Sequence, residues 1–343
     1  MKGTRLGYAC INSILGSRSK KDGGRVTTGR TARKSSWFPD KNYSMLGEKA
    51  LANAQDLLTI LKWNKDNGVH LFRIGGEMIP WHDHFVPSEV LPQYNEIKAA
   101  LFEAGEYARA NNMRITTHPG PFHVLGSPTP AVVTKSILGL ERHSEVFDMM
   151  GFEPSFDNKI NIHIGGAYGD HVGTAVRWIQ GWERLSDSCK KRLVIENDDK
   201  ASMWSVQMLY DYIHSQIDIP ITFDYFHHKF HPDGLSEEQA LKLAAATWPE
   251  GVRQCTHYSE SRRKEKQRDL DRIMKTSNIK NLDDWPTLLK EQKEINKIKE
   301  QAHSDVVTGS IDTYGLEIDI VLEVKAKEQG LFECRNNNKE LIN

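Results

Sequence analysis

A chain of 343 residues, 38% apolar and 27% charged with eight Trp, has the material for a sizeable core, which excludes wholesale disorder. Its length suits one large α/β barrel or two modest domains, and no apolar run reaches the ~18 to 20 residues that span a bilayer. The formal net charge of −1 would exclude a polyanionic partner only if charge were spread evenly, and it is not. Residues 1 to 41 carry ten Lys/Arg against two acids, and residues 262 to 299 carry twelve against seven, so the remainder is acidic. A neutral total therefore hides a basic rim around an acidic centre. The opening MKGTRLGYACINSILGSRSKK lacks the long apolar core and small-residue cleavage site of a signal peptide, which predicts a cytoplasmic protein. Cys10, Cys189, Cys255 and Cys334 form no CxxC pair and are expected as reduced, buried thiols.

In chain order, short apolar runs alternate with longer amphipathic ones. Strands are predicted at Arg5–Ile11, His70–Gly75, Met113–His118, Lys159–Ile164, Arg192–Asn197, Ile219–Tyr225, Val252–Tyr258 and Glu317–Val324. Between most of them lie helical patterns at Leu46–Asn64, Asn95–Asn111, Thr129–Met150, His171–Lys190, Ser205–Ser215 and Ser236–Thr247. Leu51, Ala54, Leu58 and Leu61 illustrate the i, i+3, i+4 spacing. Asn67-Gly68 and Asn111-Asn112 read as helix stops. Eight βα units predict an α/β chain closed as a (β/α)₈ TIM barrel, a single domain over residues 1–343. An open doubly wound sheet is the alternative, but it needs a Gly-rich phosphate loop after the first strand, and the sequence has none. Two basic segments exceed the repeat, 13–43 after the first strand and 262–303 after the seventh. Because both follow strands, both are expected at the C-terminal face, where such barrels keep their active sites.

The strand ends carry the chemistry. The second strand leads to Glu77, His82 and His84, the third ends in His118, the fourth contains His163 and the fifth ends in Glu196. The sixth ends in Asp224, followed by His227, His228 and His231. The seventh contains His257, with His303 beyond the insert, and the eighth contains Glu323. A single His or acid is more often a hydrogen-bonded core or surface residue, so the argument rests on their convergence at one face. Glu196, Asp224 and Glu323 gathered in one mouth repel one another and stay ionised only beside cations. Mixed His/carboxylate ligation fits Mn²⁺, Zn²⁺ or Fe²⁺, and about eight ligands suit two or three ions. Multi-metal sites of this kind activate water and stabilise the attacking and leaving oxygens in phosphodiester hydrolysis.

The segments LGYACIN (Leu6–Asn12), FRI (Phe72–Ile74), ITTHPGPFHVLGSP (Ile115–Pro128), HIGGAYG (His163–Gly169), ENDD (Glu196–Asp199), DYFH (Asp224–His227), HYS (His257–Ser259), HSD (His303–Asp305) and LEVKAK (Leu322–Lys327) together resemble the UV damage endonucleases. The resemblance runs from about residue 5 to 335. It implies a (β/α)₈ barrel with three Mn²⁺, Zn²⁺ being possible, that nicks damaged double-stranded DNA immediately 5′ of UV photoproducts and some other lesions. It further implies that His118, His163 and Glu196 hold one metal. Glu196 would bridge to a second held by Asp224, His257 and Glu323, while His227 and His303 serve the third and His84 lines the site. Glu196, Asp224, Glu323 and Lys325 are the catalytic candidates, with Lys325 a point charge near the phosphate. Tyr8 and Asn12 match positions near the lesion. A nucleoid-associated monomer is the expected working form.

Two departures from the family pattern stand out. Where the family wedges a Gln-Tyr or Gln-Phe pair into the duplex, this chain has Pro121-Phe122; Phe122 can stack, but Pro121 has no amide to offer. Where the family has a lysine two residues before His257, reported as carboxylated near the metals, this chain has Cys255, either a softer ligand or a packed thiol. Trp81 either stacks on a base or caps the barrel. Two alternatives remain at this level: a metal-dependent sugar or keto-acid isomerase on the same barrel, and a lesion-binding protein that has lost turnover.

Overall fold

The computed structural model describes residues 3–38, 41–82, 86–276 and 285–341. Every predicted strand is present in shortened form: β1 Leu6–Cys10, β2 Leu71–Ile74, β3 Arg114–Thr117, β4 Ile160–His163, β5 Leu193–Glu196, β6 Ile221–Thr222, β7 Cys255–Tyr258 and β8 Asp319–Leu322. All pair in parallel in the order β6-β5-β4-β3-β2-β1-β8-β7, the sheet of a (β/α)₈ barrel. Between β6 and β7 the described backbone offers a single bridge, Asp224 to His257, with the His257 N–H donating to the Phe223 carbonyl at 3.0 Å. That seam is where the sheet closes.

The helices form where capping and apolar spacing agree. They are α1 Ser13–Gly16, α2 Tyr43–Asp66, α3 Tyr94–Ala110, α4 Pro130–Met149, α5 His171–Glu183, α6 Asp187–Lys190, α7 Val206–Leu209, α8 Ser215–Ile217, α9 Tyr225–His228, α10 Glu237–Ala246, α11 Arg262–Thr276, α12 Trp285–Lys297 and α13 Lys327–Asn337. Asn42, Asp170 and Ser236 cap α2, α5 and α10 through their side chains, and Gln239 completes a capping box with Ser236. The stops after α2 and α3 fall where expected, with Gly68 and Asn112 in the left-handed region at φ 66° and 51°. The run predicted as one helix from His171 to Lys190 is two, because the Ser186 side chain accepts from the Cys189 N–H and starts α6 afresh. The helix predicted over Ser205–Ser215 is α7, a π turn at Tyr210–His214 and α8, stopped by Asp218 at φ 53°.

The two extra segments differ in kind. In 13–43, Val26, Thr27, Thr28 and Trp37 are buried and anchor to the barrel a segment whose described residues are otherwise mostly exposed. The 262–303 insert carries α11 and α12, and ion pairs to nearby acids tie its cations down: Lys266 to Asp305 at 2.9 Å, Arg263 to Glu300 at 2.9 Å and Arg268 to Glu260 at 3.0 Å.

At the N-terminal ends of the strands, Asp319 is fully buried and accepts from Arg5 Nε at 2.9 Å and Arg114 Nη1 at 2.8 Å, with Arg253 Nη1 at 3.4 Å. Arg114, also fully buried, spends its remaining donors on the carbonyls of Phe156, Asp157 and Arg253. Burial opposes the Asp319 charge, but Arg5 and Arg114 hold its carboxyl below the usual range. Ala9, Leu71, Val194, Trp248, Cys255 and Val321 form a small apolar cluster of their own, apart from the main core. Cys255 is therefore a packed thiol, and the alternative of a softer metal ligand is set aside.

Candidate metal centre

Glu196, the last residue of β5, is fully buried and central. Its Oε2 lies 3.1 Å from His118 Nε2 and 3.8 Å from His163 Nε2; its Oε1 lies 2.9 Å from His257 Nδ1 and 3.7 Å from His227 Nδ1. Glu323, just past β8, has Oε1 3.4 Å from His257 Nδ1 and Oε2 3.4 Å from His303 Nδ1. Asp224 caps α9, accepting from the His227 N–H at 2.7 Å, and its Oδ2 is 3.9 Å from His227 Nδ1. Eight of the nine expected ligands thus meet in one cluster. The ninth, His84, lies outside the described residues. Two triads, His118–Glu196–His257 and His163–Glu196–His227, each bring their donor atoms within 4.8 Å of one another.

Three observations test whether these residues fit divalent cations. First, His118, His227 and His303 place Nδ1 at 3.0, 2.9 and 3.0 Å from the carbonyls of Pro119, Asn197 and Glu323. A carbonyl only accepts, so Nδ1 carries a proton; Nε2 is left as a lone-pair donor in His227 and His303, the arrangement found in metal-ligating histidines, whereas His118 Nε2 meets Glu196 Oε2 as a hydrogen-bond donor. Second, Asp224 Oδ2 and His257 Nε2 are buried without a hydrogen-bond partner among the described residues. Third, charge in the cluster is out of balance. Burial opposes a proton on His163, yet Glu196, Asp198 and Asp224 push it up to about 10, and Asp224 and Glu196 likewise push His227 up to about 9 against its burial. Burial, with Glu196 and Glu323 nearby and against the pull of His227, pushes Asp224 up to about 7. The carboxylates thus draw protons where they lack other positive charge, and the donor set fits divalent cations.

Glu196 itself stays ionised. Burial disfavours its charge, but His257 and His163, with hydrogen bonds from His118 and His257, hold it well below the usual carboxylate range. Glu323 is held down against burial chiefly by Arg73, whose Nη1 donates to Oε1. Sequence reasoning missed Arg73, as it missed Asp198, whose Oδ1 is 3.1 Å from His163 Nδ1, and Asn161, whose amide donates to Glu196 Oε2. The available signal was a charged or amide residue inside an apolar strand run, LFRI and INIH, where packing alone does not call for one.

The other expected site residues divide. Phe122 is 73% exposed on the β3–α4 loop, Pro121 beside it is exposed, and Lys325 is exposed past β8. Tyr8 and Asn12, expected near the lesion and the cluster, are fully buried. The Tyr8 hydroxyl donates to Asn64 Oδ1 at 2.6 Å and accepts from Asn12 Nδ2 at 2.9 Å, while Asn12 Oδ1 caps α1 at the Leu15 N–H. Both are committed to internal hydrogen bonds. Trp81 is half-buried, donates from Nε1 to the Ala32 carbonyl at 2.8 Å and packs on Trp37 at 5.7 Å between centroids, so it holds the 13–43 loop to the barrel. His82 pairs with Glu145 at 3.1 Å and has no place in either triad.

Barrel and cluster define a (β/α)₈ protein with a His/carboxylate centre suited to divalent metal at its mouth. The chain matches the family model for UV-endonuclease UvdE over residues 4–342, and it belongs to that family. It is 33% identical over 342 residues to a UV-damage endonuclease of Schizosaccharomyces pombe, covering 96% of this chain and 50% of that one. It is 31% identical to a UV DNA damage endonuclease of Clostridium perfringens, covering 98% and 71%. The crystal structure of SacUVDE superposes with a TM-score of 0.74 at 28% identity, covering 98% of this chain and 99% of that one. The chain spans about half the length of the fungal relatives it matches. Among the described residues, no helix is long and apolar enough to cross a membrane.

Proposed function

We propose that the protein is a DNA repair endonuclease that hydrolyses the phosphodiester immediately 5′ of UV photoproducts in duplex DNA. It would work as a single-domain monomer on the cell's own DNA, with three Mn²⁺ as the metals and Zn²⁺ as the substitute. The observation that carries the reading is the convergence of eight His and carboxylate side chains at one barrel mouth, three of the histidines locked through Nδ1 to backbone carbonyls, in a member of the UvdE family. Glu196, His118 and His163 would hold one cation, Glu196 with Asp224, His257 and Glu323 a second, and His227 and His303 the third. What the bound cations supply is a lowered pKa for the attacking water and neutralisation of charge at phosphorus.

The rest falls to the chain itself. Glu196, ionised and hydrogen-bonded by His118, Asn161 and His257, keeps the shared ligand in place without reorganising. Exposed Lys325 attracts the phosphate as a point charge. Phe122, on a loop that leaves its ring in solvent, stacks against a base at the lesion, with Pro121 fixing the backbone beside it. A damaged step has already lost stacking and pairing energy, so opening it costs less than opening intact duplex. The P–O3′ bond breaks, leaving a 3′-hydroxyl and a 5′-phosphate on the lesion side.

The test is a nicking assay on duplex oligonucleotides with one pyrimidine dimer or none, in Mn²⁺, Zn²⁺ or EDTA. The expected result is a metal-dependent cut directly 5′ of the dimer, absent in EDTA. Equal cutting of both duplexes, or cutting that persists in EDTA, would defeat the reading.

A further inference from the structure

Alternation along an extended chain puts Lys159, Asn161 and His163 on one face of the β4 segment, directed into the barrel. Lys159 is fully buried. Its Nζ donates to Asn161 Oδ1 at 3.2 Å, Thr222 Oγ1 at 2.8 Å and the Cys255 carbonyl at 2.8 Å, and none of these acceptors is a carboxylate. An enclosed ammonium with only neutral acceptors is a costly element, and packing alone is better served by Leu or Met. Burial pushes its pKa down to about 8, so at neutral pH it is still mostly an ammonium, which donates and cannot accept. Asn161 must then turn its oxygen to Lys159 and its NH₂ to Glu196 Oε2. The ionised Glu196 carboxylate demands the same orientation, so the ammonium is the second anchor that holds the amide at its oxygen end.

We infer that Lys159 is a positioning residue for the metal centre: through Asn161 it fixes the rotation of the Glu196 carboxylate that both ligand triads share. Its other two bonds reach Thr222 on β6 and the Cys255 carbonyl on β7, the two strands flanking the seam, so the same ammonium links closure of the barrel to the set of Glu196. This rests on the reading of Glu196 as a metal ligand.

The test measures Mn²⁺ affinity by electron paramagnetic resonance titration, without DNA, for wild type, Lys159→Met, Asn161→Leu and the double variant, with melting temperature recorded for each. Nicking kcat and KM are measured on the same proteins. Loss of an outer partner of a metal ligand costs about 10- to 100-fold in metal affinity. Each single variant should fall by about tenfold, the double should fall no further, and kcat should drop at unchanged KM. An affinity within twofold of wild type in Lys159→Met, or a double-variant loss equal to the product of the singles, overturns the relay. If Lys159→Met does not fold, Asn161→Leu decides by the same twofold criterion. A wild-type protein that binds Mn²⁺ but does not nick defeats the proposed function and leaves this test standing; one that binds no divalent cation overturns both.

Discussion

At the N-terminal end of the barrel, Asp319 faces Arg5, Arg114 and Arg253, and Arg114 fills its remaining donors with carbonyls. At the mouth, Glu196, Asp224 and Glu323 face mainly histidines, and among the described residues Asp224 Oδ2 and His257 Nε2 have no hydrogen-bond partner. Both ends bury carboxylates, so burial does not distinguish them. Completeness does: one end is a closed ion network that holds strand ends together, while the other keeps donors open that none of the described residues meets. Unmet demand in a buried charge cluster points to function, and met demand points to stability.

Substitution can break this contrast. Glu196→Gln removes the shared ligand and should lower nicking by about three orders of magnitude, the scale of losing a central electrostatic group. The depressed Glu196 carboxyl contributes stability at neutral pH, so the melting temperature without metal should fall as well; single-turnover cleavage and a thermal melt in EDTA read both. Asp319→Asn should cost about 3 kcal/mol in urea unfolding by stranding Arg114, with activity per folded molecule kept. Loss of activity there without loss of stability would erase the distinction between the ends.

Smaller effects sharpen it. Phe122→Ala should raise the Kd for damaged duplex about tenfold, the value of roughly one stacked base, with little change for undamaged duplex; fluorescence anisotropy on both duplexes measures this. Glu145 extends the rule to a charge away from either end. Burial opposes its ionisation, but hydrogen bonds from His82, Ser88 and Arg142 hold its pKa down to about 2. A depressed carboxyl contributes stability above its unfolded value near 4.5 and loses it as pH falls toward 2. Glu145→Gln should therefore flatten the pH dependence of stability between those values and leave it unchanged above pH 6, as read by urea unfolding across the range.

The barrel was legible because short strand runs alternate with longer amphipathic ones in a regular order, and His118, His163 and Glu196 could be read from the strand ends. Arg73 and Asn161 were not, because each matters through a partner remote in the chain, Glu323 and Glu196, and no local pattern marks such a pair. Tyr8 and Asn12 pose a different problem. Their residue types allow surface contact or internal bonding equally, and only the position of Asn64 on α2 decides between the two.

The ion pairs of the 262–303 insert bear on how the protein meets a polyanion. Arg263, Lys266 and Arg268 already hold Glu300, Asp305 and Glu260, all of which lie outside the 262–299 window where twelve bases outnumber seven acids. Counterions are released only by cations that exchange water and salt for phosphate, each adding about 0.9 to the slope of log affinity against log salt. The slope should therefore be shallower than the residue count implies, because these three cations are already committed to acids of the chain.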